Sequence, residues 1–249
     1  MIYAQQQAHP DLRDCVRCYW KLENNTQQPL HYTIMPDGFF DLLICYHKNN
    51  LEKVFLTGLW TKKVNVVILP NTTLLGVQFR LLAIEHLIQK SIAPVLNDMM
   101  TMEKTFWGLD TFAQQVDSFS FEHLDRYLLP FMKEKDSIDS RKFNLLNLIN
   151  QTQGNQTIED YSKQVFWTKR QINRYFQSTF GLSLKSYCTI RKSAASYSHI
   201  KKGQLYPEHN YFDQSHFIKT IKRITGHTPK ELTRNENDRF LQFSIIESE

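Results

Sequence analysis

Residues 157–181 read TIEDYSKQVFWTKRQINRYFQSTFG. Thr157 is placed to cap a short helix, with Glu159 and Asp160 in its first turn, where the helix dipole favours anions. That helix runs to about Val165 and breaks at Phe166 and Trp167. Thr168 opens a second helix with a T-K-R-Q capping box, its hydroxyl serving the third helical amide while Gln171 reaches back to the cap. Ile172, Tyr175, Phe176 and Thr179 recur at spacings of three and four and make an inner face. Lys169, Arg170, Asn173, Arg174 and Gln177 make the outer one. Gly181 ends the helix, because glycine takes the left-handed C-terminal conformation at least cost. A short helix, a tight break and a second helix with a basic, amide-rich face make a helix-turn-helix. Arginine, asparagine and glutamine are the side chains that grip base edges with two bonds at once. A helix carrying charge only for solubility shows the same pattern, so the stretch nominates a DNA reader without excluding that blander role.

Working outward, Phe143, Leu145, Leu146, Leu148 and Ile149 give a preceding helix that ends in Gln-Gly-Asn at 153–155. A longer helix is expected over about 184–202, stopped by Gly203. The segment 212–232 reads FDQSHFIKTIKRITGHTPKEL. Here Asp213 caps a second amphipathic helix whose Phe217, Ile221 and Ile224 point inward. Gln214, Ser215, His216 and Lys219 point outward, followed by Lys222 and Arg223 for phosphates. Gly226 closes it, and Thr228-Pro229 begins a last helical turn.

Charge divides the chain in the same places. Residues 1–140 carry a net −3, residues 141–235 a net +11 and residues 236–249 a net −3. About 95 residues of such basicity fit a polyanion partner. The expected organisation is a β-rich sensing or dimerisation domain over 1–140, a DNA-binding domain over 141–235, and an acidic tail over 236–249.

These residues resemble the AraC/XylS family of transcription regulators. The D-Q-S-H-F run, the basic helix and the G-x-T-P ending at 212–232 carry the match, with 158–187 similar to the family's first helix-turn-helix. Arg191 with Ala195 resembles its linker helix. The resemblance implies two recognition helices in successive major grooves of double-stranded DNA. Arg170, Asn173 and Arg174 would read bases in the first unit, and Gln214, Ser215, His216 and Lys219 in the second. One departure stands out. QLYPEHN at 204–210 replaces the usual first helix of the second unit, which sets Thr168 and Asp213 about five residues, or roughly 7 Å of helix, closer than is usual. Pro207 opposes a regular helix there.

The first 140 residues are β-rich, with CVRCYWKLE, YTIMPDGFFDLLICYH, KVFLTGLW, KVNVVIL and TLLGVQFR separated by turn residues. From about Ala83 to Met132 the pattern turns helical. HPDLRDCVRCYW, MPDGFFDLLI and LLGVQFR resemble a domain of unknown function found before AraC-type modules. The fold class expected is α+β, a barrel-like N-terminal domain followed by an all-α double helix-turn-helix. Tyr19, Trp20, Phe39, Phe40, Phe55 and Trp60 are expected mostly in the core, some of them lining a small-molecule pocket.

Other chemistries find little support. Cys15 and Cys18 form a C-x-x-C without the second pair or the histidines a zinc site needs. With Cys45 and Cys188 they do not make a disulfide scaffold. Asp37, Asp41, His31 and His47 lie in one stretch, but P-D-G is the composition of a turn. No catalytic residue, metal or cofactor is expected. Apolar residues make up 41% of the 249 and charged residues 22%, and no apolar run approaches the roughly 20 residues that span a bilayer. The start lacks a secretory pattern, so a cytoplasmic location without membrane contact is expected. The leading reading is a sequence-specific DNA-binding regulator, with a small-molecule effector, a homodimer and RNA polymerase as further partners. Beside it stands a protein–protein interaction module whose second DNA-binding unit has degenerated. A DNA-repair enzyme with an appended DNA-binding part would need a reactive cysteine motif and a four-cysteine metal site, and four scattered cysteines do not supply them.

Overall fold

The computed structural model describes residues 2–112, 120–132, 138–206, 211–234 and 240. Its first part holds eight strands: β1 (Ile2–Gln6), β2 (Val16–Asn24), β3 (Leu30–Ile34), β4 (Phe40–His47), β5 (Asn50–Thr57), β6 (Val64–Ile68), β7 (Thr72–Phe79) and β8 (Met99–Met102). Six form one antiparallel sheet in the order β1-β2-β7-β4-β5-β8, while β3 and β6 pair separately as a two-stranded ribbon. The sheet ends at β1 and β8 and is open, where a barrel-like closure was expected.

β4 shows how this sheet is divided. Phe40, Leu42, Ile44 and Tyr46 are buried, while Asp41, Leu43, Cys45 and His47 alternate with them and keep partial exposure. Successive strand side chains point to opposite faces, so the buried set builds the main core and the other set faces a second space. The ribbon folds over that second face, Tyr32 and Ile68 packing with Leu22.

The structure departs from the sequence pattern here in two places. The helical pattern expected from Ala83 to Met132 is interrupted. A π turn (Ile84–Ile88) stops at left-handed Gln89, Pro94 begins only a 3-10 turn, and β8 then joins β5. Regular helix returns in α1 (Leu109–Phe112) and α2 (Phe121–Leu128). β1 was not anticipated either, since its Ala-Gln-Gln lacks the apolar alternation of a strand; pairing with β2 supplies its order.

The second part is helical: α3 (Ser140–Thr152), α4 (Ile158–Val165), α5 (Lys169–Phe180), α6 (Leu184–Ala195), α7 (Tyr197–Lys201), α8 (Gln214–Thr225) and α9 (Pro229–Arg234). The single helix expected over 184–202 is two helices. The Ser193 and Ser196 hydroxyls donate to the carbonyls of Thr189 and Lys192, four residues back. Such back-bonding bends helices, and the Ser196 amide turns to the Ser193 carbonyl three residues back.

One apolar core runs through both parts, joining Leu42, Val77 and Phe79 of the sheet to Leu145, Ile172, Phe176 and Phe180 of the helices. Glu85 ties them further, accepting from Tyr175 Oη at 2.8 Å and pairing with Lys142 Nζ at 3.0 Å. The later helices pack around a smaller core of Tyr197, Ile200, Phe217, Ile221 and Leu232, and Met35 enters it from the end of β3. Phe240 joins the same core, while the rest of the expected acidic tail lies outside the described residues.

Candidate nucleic-acid interface and the cavity behind it

The stretch 157–181 folds as its capping chemistry dictates. Thr157 and Asp160 cap α4 reciprocally, and Thr168 and Gln171 cap α5 in the same way. Phe166 takes a left-handed φ of 53° between them and leaves its ring 89% exposed. Ile172, Tyr175 and Phe176 are buried, as the spacing predicts, but Phe180 rather than Thr179 completes the inner face. Thr179 is half-buried, and its carbonyl accepts from Ile92 at 3.0 Å.

On the opposite face Lys169, Arg170, Arg174 and Gln177 are exposed. Asn173 departs from the expected outward position. It follows buried Ile172, is half-buried, and has its Oδ1 buried without a hydrogen-bond partner. Lys169 Nζ lies 2.6 Å from Glu159 Oε2, so this cation is engaged within its own unit.

In α8 the Asp213 carboxylate accepts from the His216 amide at 2.7 Å and caps the helix. Phe217, Ile221 and Ile224 are buried, whereas Gln214, Ser215, His216, Lys219, Lys222 and Arg223 are exposed. Gly226 ends the helix with a φ of 76°, and the Lys63 side chain crosses over it to bring Nζ within 3.1 Å of His227 Nε2. Before α8 stands the short α7. Residues 207–210 of the replaced segment, Pro207 among them, lie outside the described residues.

Behind these helices is a cavity of about 850 Å³, enclosed by the second face of the sheet, the ribbon, and helices α6 and α7. Trp20, Phe39, Phe55 and Trp60 line it, whereas Tyr19 and Phe40, one residue from two of these, are fully buried in the core. An irregularity in β2 between Val16 and Cys18 leaves Arg17 out of register and turns it into the cavity. Arg17 Nη1 donates to Gln78 Oε1 at 2.7 Å, and Gln78 Nε2 donates to Asp37 Oδ2 at 3.2 Å. The guanidinium carbons of Arg17, Arg80 and Arg191 stand 4.8, 6.0 and 4.3 Å from the Phe39 ring centre.

Two carboxyls share this wall. Burial pushes Asp41 up to about 7, helped by the nearby Asp37 charge and opposed by the Trp20 hydrogen bond and Arg17. Burial also raises Asp37, against the pull of Arg17 and Arg191.

The P-D-G stretch is a turn, and it is also where the helices hold the sheet. The carbonyls of Pro36, Asp37 and Gly38 accept in succession from Tyr197 Oη at 2.8 Å, Arg191 Nη1 at 2.6 Å and Tyr187 Oη at 2.9 Å. Gly38 has a φ of 81°, and a Cβ there would lie 2.3 Å from Arg191 Cδ. Gly38→Ala is accordingly expected to cost about 1–3 kcal/mol through strain and displacement of Arg191. A urea titration checks this, and an unchanged midpoint would show that the close approach is not needed.

Among the described residues, no group of three or more His, Cys, Asp or Glu side chains is placed to hold a metal ion. No described helix is long and apolar enough to cross a membrane. Cys15 and Cys18 are both buried.

Comparison with curated proteins gives no match. Among solved structures, ToxT from Vibrio cholerae aligns over 94% of this chain and 98% of its own, at 9% identity and a TM-score of 0.46. Wild-type ToxT of Vibrio cholerae strain SCE256, bound to an unsaturated fatty acid, aligns over 86% and 97% at 12% identity and a TM-score of 0.42. Residues 4–101 match the family model of DUF6597, a domain of unknown function.

Proposed function

We propose that this chain is a sequence-specific DNA-binding transcription regulator whose DNA-binding helices answer to a small molecule held in the cavity. The observation that carries the reading is the pair α5 and α8. Each is capped at its start, each buries one apolar face, and each leaves a basic or amide-bearing face in solvent within the segment of net charge +11. Arg170 and Arg174, with Asn173 at the edge of the face, are the base readers of the first unit. Gln214, Ser215, His216 and Lys219 are those of the second. Lys222 and Arg223 hold phosphates, and Lys169 and Gln177 flank the first contact. Residues 141–235 form the DNA-binding part in this proposal and residues 1–140 the sensing part. Homodimerisation and contact with RNA polymerase belong to the same proposal.

A second reading, a protein–protein interaction module with a degenerate second unit, is favoured by one observation. Tyr206 and Phe212, on either side of the replaced segment, are 72% and 93% exposed.

Two substitutions separate the readings. Arg174→Ala is expected to weaken the selected site by about 1–3 kcal/mol and relax preference at one position, the mark of a base contact. Lys222→Ala is expected to weaken all DNA about equally and flatten the salt dependence, as loss of one phosphate contact does. The measurement is selection from a random-sequence DNA library at two salt concentrations, followed by titration of each variant. A motif spanning two grooves supports both units as readers, and a motif of one groove restricts reading to α5. No enrichment at either salt moves the assignment to the interaction module.

A further inference from the structure

The cavity has two chemically different ends. One is apolar, walled by Leu22, Cys45, Ile68 and Leu74 at the far end of the strands from Asp41 and Gln78, with Leu43 and Phe55 between. At the other, three guanidinium groups crowd the Phe39 ring while only two carboxyls, Asp37 and Asp41, stand on the same wall. Like charges gathered out of bulk water repel strongly unless counter-charge joins them. Burial lowers the Arg80 guanidinium from its usual range, and the neighbouring charges of Arg191 and Arg17 lower it further. A planar guanidinium pairs best with a planar carboxylate or a phosphate, and apolar walls with a few convergent polar groups are how small-molecule sites are built.

We infer that the cavity takes an organic anion with an apolar body, its charged end among Arg17, Arg80 and Arg191, and that the anion acts on the second helical unit through Arg191. The inference rests on the regulator reading above and names its effector by chemical class. Arg191 is the one of the three arginines that belongs to a helix of the second part, and it already donates to the Asp37 carbonyl. It stands five residues before Ser196, where the helix breaks, and six before Tyr197, whose hydroxyl holds the Pro36 carbonyl. An anion on the remaining edge of this guanidinium fixes both its contacts at once. It thereby fixes α6 on the turn and the departure of α7 toward the core that carries α8.

The test uses the full chain without DNA. Biphenyl-4-carboxylate, the uncharged biphenyl-4-carboxamide and inorganic phosphate are titrated by calorimetry into the wild type, Arg17→Gln and Leu43→Trp, and amide hydrogen exchange is followed over residues 184–201. The carboxylate is expected to bind once per chain, with the amide weaker by about tenfold or more for want of charge-assisted bonds. Arg17→Gln should narrow that gap. Leu43→Trp should remove binding of both while the fold, checked by circular dichroism, is kept, because Leu43 faces the cavity and not the main core. Exchange over 184–201 should slow in the bound state. Equal binding of acid and amide, or no binding of any probe, overturns the anion assignment. Phosphate binding as tightly as the aryl acid overturns the apolar body, and a Leu43→Trp variant that binds normally places the ligand elsewhere. Unchanged exchange in a bound protein overturns the action through Arg191. None of these readouts involves DNA, so their failure is separable from failure of the DNA-binding reading.

Discussion

Phe176→Ala should destabilise the chain by about 3–5 kcal/mol, the usual loss when a fully buried aromatic is cut to a methyl. Phe176 has no accessible surface and lies among the rings of Tyr175, Phe180 and Tyr187, at centroid distances of 5.9, 5.1 and 5.8 Å. Those neighbours are themselves fixed to the first part, Tyr175 through Glu85 and Tyr187 through the Gly38 carbonyl. A helical domain with its own core would lose its helices first and leave the sheet intact. Here one apolar cluster contains both Phe176 and the inner face of the sheet, so the loss falls on the whole of it. Set against a typical net stability of about 5–15 kcal/mol, such a loss brings the variant close to unfolding. Urea unfolding followed by tryptophan fluorescence and by far-ultraviolet circular dichroism measures it. The two signals should move together to lower urea. A fluorescence transition left in place while the helical signal shifts would show that the two parts are stabilised separately.

That shared core also explains what could and could not be read from the sequence. Helix ends were legible because capping is local chemistry. Thr157, Thr168 and Asp213 each find their partner amide three residues on, and Gly181 and Gly226 sit where the backbone turns left-handed. The inner faces of α5 and α8 were legible because period alone defines them, and Thr179 and Asn173 moved only at the margins of their faces. A pocket lined by some of the aromatics was expected, but which of them line it was not legible, because the cavity's residues come from strands whose neighbours are distant in sequence. Phe39 and Phe40 look alike in a row of letters, yet one lines the cavity and the other fills the core. A signal was present in β4, where Asp41, Leu43 and Cys45 alternate with large apolar residues. It marks two faces without saying that the second is covered. Arg191 was visible as part of a family-like linker helix, but its partner Asp37 stands 154 positions away. The serines that divide α6 from α7 read as ordinary helix residues until their hydroxyls are seen to bond backwards. β8 was hidden by its methionines, which favour no strand on their own, and takes its form from β5.

Asp41 turns the cavity into a pH-dependent element of stability. Its carboxyl keeps some surface toward the cavity but is surrounded by protein, and one oxygen accepts from Trp20 Nε1 at 2.9 Å. Burial and the neighbouring Asp37 raise it from the ordinary 3.8 to about 7. The folded chain therefore holds this proton more tightly than the unfolded chain does. The sign follows directly: the contribution is fully present below about pH 4, declines as pH rises toward 7, and is gone above it. A carboxyl displaced this far accounts for roughly 4 kcal/mol over that interval. Carboxyls held low by partners, such as Asp139 beside Arg141 or Glu23 beside Lys21, titrate at more acid pH and act with the opposite sign. Asp41→Asn keeps an oxygen for Trp20 and removes the charge. It should be no more stable than the wild type near pH 4 and more stable by about 2–4 kcal/mol at pH 8. Urea midpoints of the two proteins at half-unit pH steps check this, and taking their difference at each pH cancels the shared groups that do not interact with Asp41. Asp37, also raised by burial against the pull of Arg17 and Arg191, acts with the same sign and remains in the variant. A difference that stays constant from pH 4 to 8 would mean that Asp41 ionises in its ordinary range. The cavity wall would then carry the full negative charge of Asp41 at neutral pH. That charge would offset the arginines and weaken their hold on an anion, so the same titration also measures how basic this end of the cavity is where the protein works.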